Sequence, residues 1–98
     1  MAAIKIRWLR VASASLDAEY DYIQRENPKA ARRVFTRITS VVKRLKDYPL
    51  SGRIGQVDGT RELIITGLPY MVIYRVATDG VEILRVFHTS RDYPAAFQ

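Results

Sequence analysis

Between Asn27 and Tyr48 the apolar residues Ala31, Val34, Phe35, Ile38, Val41, Val42 and Leu45 recur at intervals of 3, 1, 3, 3, 1 and 3. That spacing keeps them on one stripe of a 3.6-residue helix and predicts the longest element of the chain. Asn27 is placed to accept a bond from a first-turn amide, and Pro28 suits the first helical position because it has no amide proton to satisfy. Pro49 stops the run. A helix over this span is about 30 Å long at 1.5 Å per residue. Burying its stripe contributes about 10–20 kcal/mol gross, an upper figure, so the helix needs a partner layer.

The remaining pattern supplies that layer. Ile4 to Leu9 alternates as a strand, with Ile4, Ile6 and Trp8 on one face and Lys5 and Arg7 on the other. A first helix, capped by Ser13 or Ser15 and running to about Glu26, buries Ala12, Leu16, Tyr20 and Ile23. Asp17, Glu19 and Asp21 fall in its first half, where negative charge suits the helix dipole, and Asp21 is spaced to pair with Arg25. The short corner Glu26–Asn27–Pro28 makes the two helices an antiparallel hairpin. Pro49 to Gly59 reads as a loop of turn formers. Arg61 to Thr66 alternates weakly, with Leu63 and Ile65 on one side. Tyr70 to Ala77 and Val81 to His88 are strands rich in β-branched and aromatic residues. Asp79–Gly80 is the preferred pair for a type I′ hairpin turn, which sets Val76 against Ile83, Tyr74 against Arg85, Val72 against Phe87 and Met71 against His88. Both faces of this hairpin are apolar, so it belongs at the sheet centre. The expected fold is α+β over a single domain, residues 1–98: a β-α-α-β-β-β chain whose helical hairpin packs on one face of a small, mostly antiparallel sheet.

Composition narrows the chemistry. The chain has 98 residues, 48% of them hydrophobic, which suits one globular core and not a disordered segment. There is no cysteine, which excludes disulfide and thiol chemistry and fits the cytoplasm. No stretch approaches a membrane span or a signal peptide. Sixteen Lys and Arg against ten Asp and Glu give a net charge of +6. Much of the excess lies on the second helix, at Lys29, Arg32, Arg33, Arg37, Lys43, Arg44 and Lys46, with no acid between the first and the last. Such a face either keeps the protein soluble or meets an acidic partner or nucleic acid.

Candidate catalytic groups are few. One histidine and no cysteine make a metal site improbable, and no glycine pattern opens a helix to cradle phosphate. His88 and Ser90 share a strand face but do not orient each other, so a serine nucleophile is not built there. His88 is a candidate acid or base, or a histidine that caps the sheet through a backbone bond. Arg75 and Arg85, on opposite faces in this register, are candidate phosphate or carboxylate contacts, or stems that cover apolar surface. Arg61–Glu62 suits a cross-strand ion pair. The tyrosines at positions 20, 22, 48, 70, 74 and 93, with Trp8, sit mostly at core spacing; Tyr22 and Tyr93 are the candidate base-stacking platforms.

The whole pattern resembles the ParE branch of the RelE/ParE toxin superfamily of type II toxin–antitoxin modules. The resemblance spans almost the entire chain. It rests on Ser13 to Ile23, Tyr48–Pro49 with Gly52, Arg61–Glu62–Leu63, the Tyr70-x-x-x-Tyr74–Arg75–Val76 strand, and Val81-x-Ile83-x-x-Val86-x-His88-x-x-Arg91. It implies a toxin that inhibits DNA gyrase by protein binding, without a catalytic site or cofactor of its own, and that serves plasmid stabilisation. Its implied partner is a ParD-like antitoxin, whose flexible acidic tail would lie beside the helical hairpin on Lys29, Arg33, Arg37 and Arg75. Arg61, His88 and Arg91 are the implied target-binding residues. The alternative is a RelE-like ribosome-dependent mRNA endoribonuclease, for which Glu62, His88 and Arg91 would be catalytic. That set is incomplete: Met71 stands where such enzymes often carry an arginine, and Tyr93 precedes Pro94 instead of matching a C-terminal tyrosine.

Overall fold

The computed structural model describes residues 4–91. The chain runs through strand β1 (Lys5–Trp8), helix α1 (Arg10–Gln24), helix α2 (Pro28–Lys43), a 3-10 turn (Arg44–Lys46), and strands β2 (Arg53–Ile54), β3 (Arg61–Ile64), β4 (Tyr70–Ala77) and β5 (Gly80–His88). The strands form one sheet in the order β1-β5-β4-β3-β2. β1 lies parallel to β5 and every other pair is antiparallel. This is the expected α+β layout, with the β4–β5 hairpin at the sheet centre and the helical hairpin on one face.

The central helix follows its local signals. Asn27 accepts a bond from the Ala30 amide at 3.1 Å and Pro28 takes the first position. The α-helix is 16 residues, about 24 Å, and so shorter than expected, because its last turn tightens into the 3-10 segment. Leu45 stays fully buried in that segment. Ala31, Ile38 and Val42 are also buried, whereas Phe35, at the edge of the stripe, lies in the cleft between the helices with its ring edge-on to Tyr20 at 5.9 Å.

α1 departs from the expectation. It begins at Arg10, with Leu9 as its cap and no side-chain capping bond. The reason is that β1 feeds straight into it: the Leu9 amide donates to Ile83 of β5, and the Ser13 amide then closes the first turn on the Leu9 carbonyl. Ser15 therefore lies inside the helix, where its hydroxyl donates to the Ala12 carbonyl and accepts from the Val86 amide of β5. The acidic residues fall in mid-helix, not at its start, and no ion pair joins Asp21 to Arg25.

The central hairpin has a different register. Ala77 pairs with Gly80, Val76 with Val81 and Tyr74 with Ile83, so the two turn residues are Thr78 and Asp79. Neither carries a positive φ, and no type I′ turn forms. Gly80 is needed elsewhere: it is a strand residue against the backbone of Lys5 in β1, where an added Cβ would lie 2.0 Å from the Lys5 carbonyl oxygen. A bulge then leaves Leu84 unpaired between Ile83 and Arg85, and beyond it Val72 meets Val86 and Tyr70 meets His88. The bulge also puts Arg85 opposite Ile73, on the same face as Arg75 and not the opposite one.

One core lies between the helices and the sheet, built from Leu16, Ile38, Val42, Leu45, Tyr74 and Ile83 with their neighbours. Ile4, Ile6 and Trp8 pack on it together, as the alternation of β1 predicts. A smaller cluster of Met71, Ile73 and Phe87, joined by Leu84, occupies the other face. The stretch read as loop contributes β2, two residues too short to show alternation. It is held to β3 by an ion pair from Arg53 to Glu62 at 2.8 Å, so the cross-strand partner of Glu62 is Arg53 and not Arg61.

Arg7 fastens the edge of the sheet. Its guanidinium donates to both Asp79 oxygens at 3.1 Å and reaches Glu82, which Arg75 also holds. The Arg7 bond keeps the Asp79 carboxyl below its usual range, and the Arg75 bond does the same for Glu82. Depressed carboxylates stabilise the fold above their unfolded pKa of about 4, and that contribution is lost as pH falls through the lower folded values. Arg7→Gln is thus expected to flatten the acid limb of the stability–pH curve and to raise the Asp79 titration midpoint, read by carboxyl carbon NMR.

Candidate functional site

The end of β5 carries a polar cluster. The His88 ring stands edge-on to Tyr70, centroids 5.3 Å apart, and its Nδ1 accepts from the amides of Ser90 and Arg91 at 3.2 and 3.1 Å. Two donors at Nδ1 assign the neutral ring's proton to Nε2. Arg91 donates to the Glu19 carboxylate and its guanidinium lies 5.3 Å over the Tyr22 ring. Glu19 also accepts from the Tyr70 hydroxyl at 3.2 Å and is only 7% exposed. His88 and Arg91, expected to contact a target, are brought together here, but as parts of a clamp that ties the chain after β5 back to α1. By its charge alone Glu19 has only a dipole role. Its spacing with Ala12, Leu16 and Ile23, at intervals of 4, 3 and 4, is the signal that places it on the buried stripe.

Arg61 is elsewhere. It sits opposite Tyr74 on β4 while His88 sits opposite Tyr70, about 13 Å apart along the strand. Its guanidinium donates to the carbonyls of Leu50 and Gly52 at 3.2 and 2.8 Å. The Tyr74 hydroxyl completes the fastening, accepting from the Gly52 amide and donating to the Pro49 carbonyl, both at 2.8 Å. Glu62, 3% exposed, lies opposite Ile73 and so faces away from the helices; it accepts from Arg53 and from the Gln56 amide. The residues of the nuclease alternative are therefore divided: Glu62 on one face of the sheet, His88 and Arg91 at the other. Tyr93 lies outside the described residues.

A second surface runs along α2. Lys29, Arg33 and Arg37 follow one another every fourth residue and Arg44 continues the line, all of them exposed. Arg75 does not join them; it faces the other side of the sheet and is paired with Glu82. Where α2 meets the β3 edge, a groove of about 360 Å³ opens between Arg37, Val41, Arg44, Tyr48, Leu63 and Ile64. Arg37 crosses its end to the Thr66 carbonyl at 3.4 Å. The groove has an apolar floor and a cationic rim, and Tyr48 and Ile64 expose 64% and 49% of their surface along it. Loop 49–52, held by Tyr74 and Arg61, forms its wall. Among the described residues no three His, Asp or Glu side chains gather to hold a metal, and no helix is long and apolar enough to cross a membrane.

A helical hairpin on one face of this five-stranded sheet, with these residues at its edges, defines a toxin of the RelE/ParE superfamily of type II toxin–antitoxin systems. More narrowly, the chain belongs to the family described as ParE toxin of type II toxin-antitoxin system, parDE, whose sequence profile matches residues 6–93. It is 43% identical to the Y4kP protein of Sinorhizobium fredii over 94 residues, covering 96% of this chain and 97% of that one. It is 36% identical to toxin RelE2 of Caulobacter vibrioides over 87 residues, covering 89% and 97%. In three dimensions it resembles a chain of the chromosomal ParDE system from P. aeruginosa, with a TM-score of 0.80 and 30% identity over 88% of this chain and 96% of the other. The RelBE2 toxin–antitoxin complex of Mycobacterium tuberculosis, at a TM-score of 0.62 and 22% identity, covering 89% of this chain and 99% of the other, shares the fold.

Proposed function

We propose that this chain inhibits DNA gyrase by binding it and is neutralised by a ParD-like antitoxin whose acidic, amphipathic tail lies in the groove between α2 and β3. The observation that carries the first half is the separation of Glu62 from His88 and Arg91. Cleaving RNA by attack of the ribose 2′-hydroxyl needs a base, an acid and positive charge around one phosphate, and here Glu62 is committed to Arg53 across the sheet from the other two. A poison that traps a partner's cleaved DNA needs only a surface. The antitoxin half rests on the groove's chemistry: apolar positions at Leu63 and Ile64 seat anchors, and Arg37 and Arg44 meet acids.

Purified protein with gyrase, supercoiled plasmid and ATP is expected to accumulate linear DNA after detergent and protease treatment, and added antitoxin should abolish it. Ile64→Asp combined with Arg37→Glu is expected to weaken antitoxin binding by about 100-fold or more, as loss of an apolar anchor and a charge pair would, in a calorimetric titration. Unchanged affinity in that double variant removes the groove as the docking site. The likeness to toxin RelE2 favours a second reading, a ribosome-dependent endoribonuclease. If no linear DNA forms while antitoxin binding is intact, cuts in ribosome-bound mRNA that vanish on His88→Ala decide for it.

A further inference from the structure

The exposed ridge of α2 has no counter-charge. Seven cations lie between Lys29 and Lys46, and no Asp or Glu interrupts them. Among the described residues, none of the seven belongs to an ion pair; the pairs that form use Arg7, Arg53, Arg75 and Arg91. Like charges four residues apart repel along a helix by a few tenths of a kcal/mol each, so the folded chain carries this row at a cost that no ion pair among the described residues offsets. Lys29, Arg33, Arg37 and Arg44 stand on one line, with Thr36 and Ser40 exposed between them. The line spans about 22 Å at 1.5 Å per residue.

We infer that this ridge binds the phosphodiester backbone of duplex nucleic acid, through Lys29 and Arg33 outside the groove that takes the antitoxin and through Arg37 and Arg44 on its rim. Two features point to a polyphosphate and not to a protein. A protein partner needs buried apolar anchors, and the N-terminal half of the ridge has none: Lys29, Arg33 and Thr36 are cations and a hydroxyl, while the exposed apolar side chains Tyr48 and Ile64 border only Arg37 and Arg44, in the groove. Backbone contacts to nucleic acid use Arg, Lys, Ser and Thr, the four residue types present here. The helix is also packed on the core through Ile38 and Val42, so its cations are presented by an element that is already folded. DNA and RNA share the recognised chemistry. The ridge would add a non-specific hold on nucleic acid next to whatever protein target the toxin engages.

The test is a fluorescence titration of the full chain against a DNA duplex of about 20 base pairs, an RNA duplex of the same length, and a poly-glutamate chain, at several salt concentrations. Four phosphate contacts predict a slope of log K against log salt of about −3.6, or a loss of about 150-fold between 50 and 200 mM salt. Two duplexes of unrelated sequence should bind equally within about threefold. Lys29→Gln with Arg33→Gln, both outside the groove, should halve the slope to about −1.8. The control pair Lys5→Gln with Arg10→Gln, exposed on β1 and at the start of α1, should leave it unchanged. Binding to both duplexes, or to one of them, upholds the inference and identifies the source. No saturable binding at 50 mM salt, a slope that the ridge variants do not change, or binding to poly-glutamate alone overturns it. These outcomes are read apart from the antitoxin titration, because Lys29 and Arg33 line no part of that groove.

Discussion

Gly80→Ala is expected to strip β1 from the sheet. The added Cβ would sit 2.0 Å from the Lys5 carbonyl oxygen and 2.8 Å from its nitrogen, and both are backbone atoms with no freedom to rotate away. Gly80 has no positive φ, so the glycine is required by the close approach of β1 and not by its own conformation. With β1 displaced, Ile4, Ile6 and Trp8 lose their packing and the Arg7 bonds to Asp79 open. For three half-buried side chains this amounts to about 2–5 kcal/mol, a large share of the about 5–15 kcal/mol that holds a domain of this kind together. Gly59 provides the comparison. Nothing lies within 4 Å of a Cβ there, but its φ is +79°, so Gly59→Ala should cost only the about 1–2 kcal/mol of a left-handed residue. Urea denaturation of the three proteins measures the difference, and equal midpoints for the two variants would refute the argument for Gly80.

The second large effect is expected at Tyr74. Its ring is fully buried, and its hydroxyl holds both the Gly52 amide and the Pro49 carbonyl. Tyr74→Ala removes ring and bridge together and should cost about 3–5 kcal/mol. Tyr74→Phe keeps the ring and leaves the buried Gly52 amide without its partner, a cost of about 1–3 kcal/mol. The conservative variant should also have a functional signature. Loop 49–52 walls the groove between α2 and β3, so faster amide exchange at Ser51 and Gly52 should accompany weaker antitoxin binding, with α2 unchanged. Protection at Gly52 equal to that of the unsubstituted protein would show that Arg61 alone holds the loop.

Much of this architecture was legible in the chain because it is local. The 3.6-residue stripe from Ala31 to Leu45, the Asn27–Pro28 start, the alternation of Ile4, Ile6 and Trp8, and the two-sided apolar runs of β4 and β5 follow from periodicity and backbone preference. They set the order of elements and the two layers. The Asp79–Gly80 turn misled because a local preference lost to a tertiary requirement: Gly80 is spent on the approach of β1, and the loop moved back by one residue. The start of α1 misled for a related reason, since no serine cap is needed where the strand's own hydrogen bonds deliver the chain into the helix.

The candidate site was legible only in part, and the division is physical. Charge and spacing alone determined that α2 carries an uninterrupted row of cations over an apolar stripe, because both depend on one helix. Which charges are free to act was decided by the tertiary structure. Arg61, Arg75 and Arg91 are as basic in sequence as Lys29 and Arg33, yet each is engaged with Gly52, Glu82 or Glu19, partners 9, 7 and 72 residues away. Glu62 and His88, which the nuclease alternative would join in one catalytic set, are put on different faces by strand pairing. The sequence by itself determined the helical hairpin, the central strands and the excess of charge. Only the fold decided which of those charges are bound inward and which remain on the surface to meet a partner, because a charge is taken up by whichever opposite group the packing brings within hydrogen-bond reach, and that distance is not written in sequence separation.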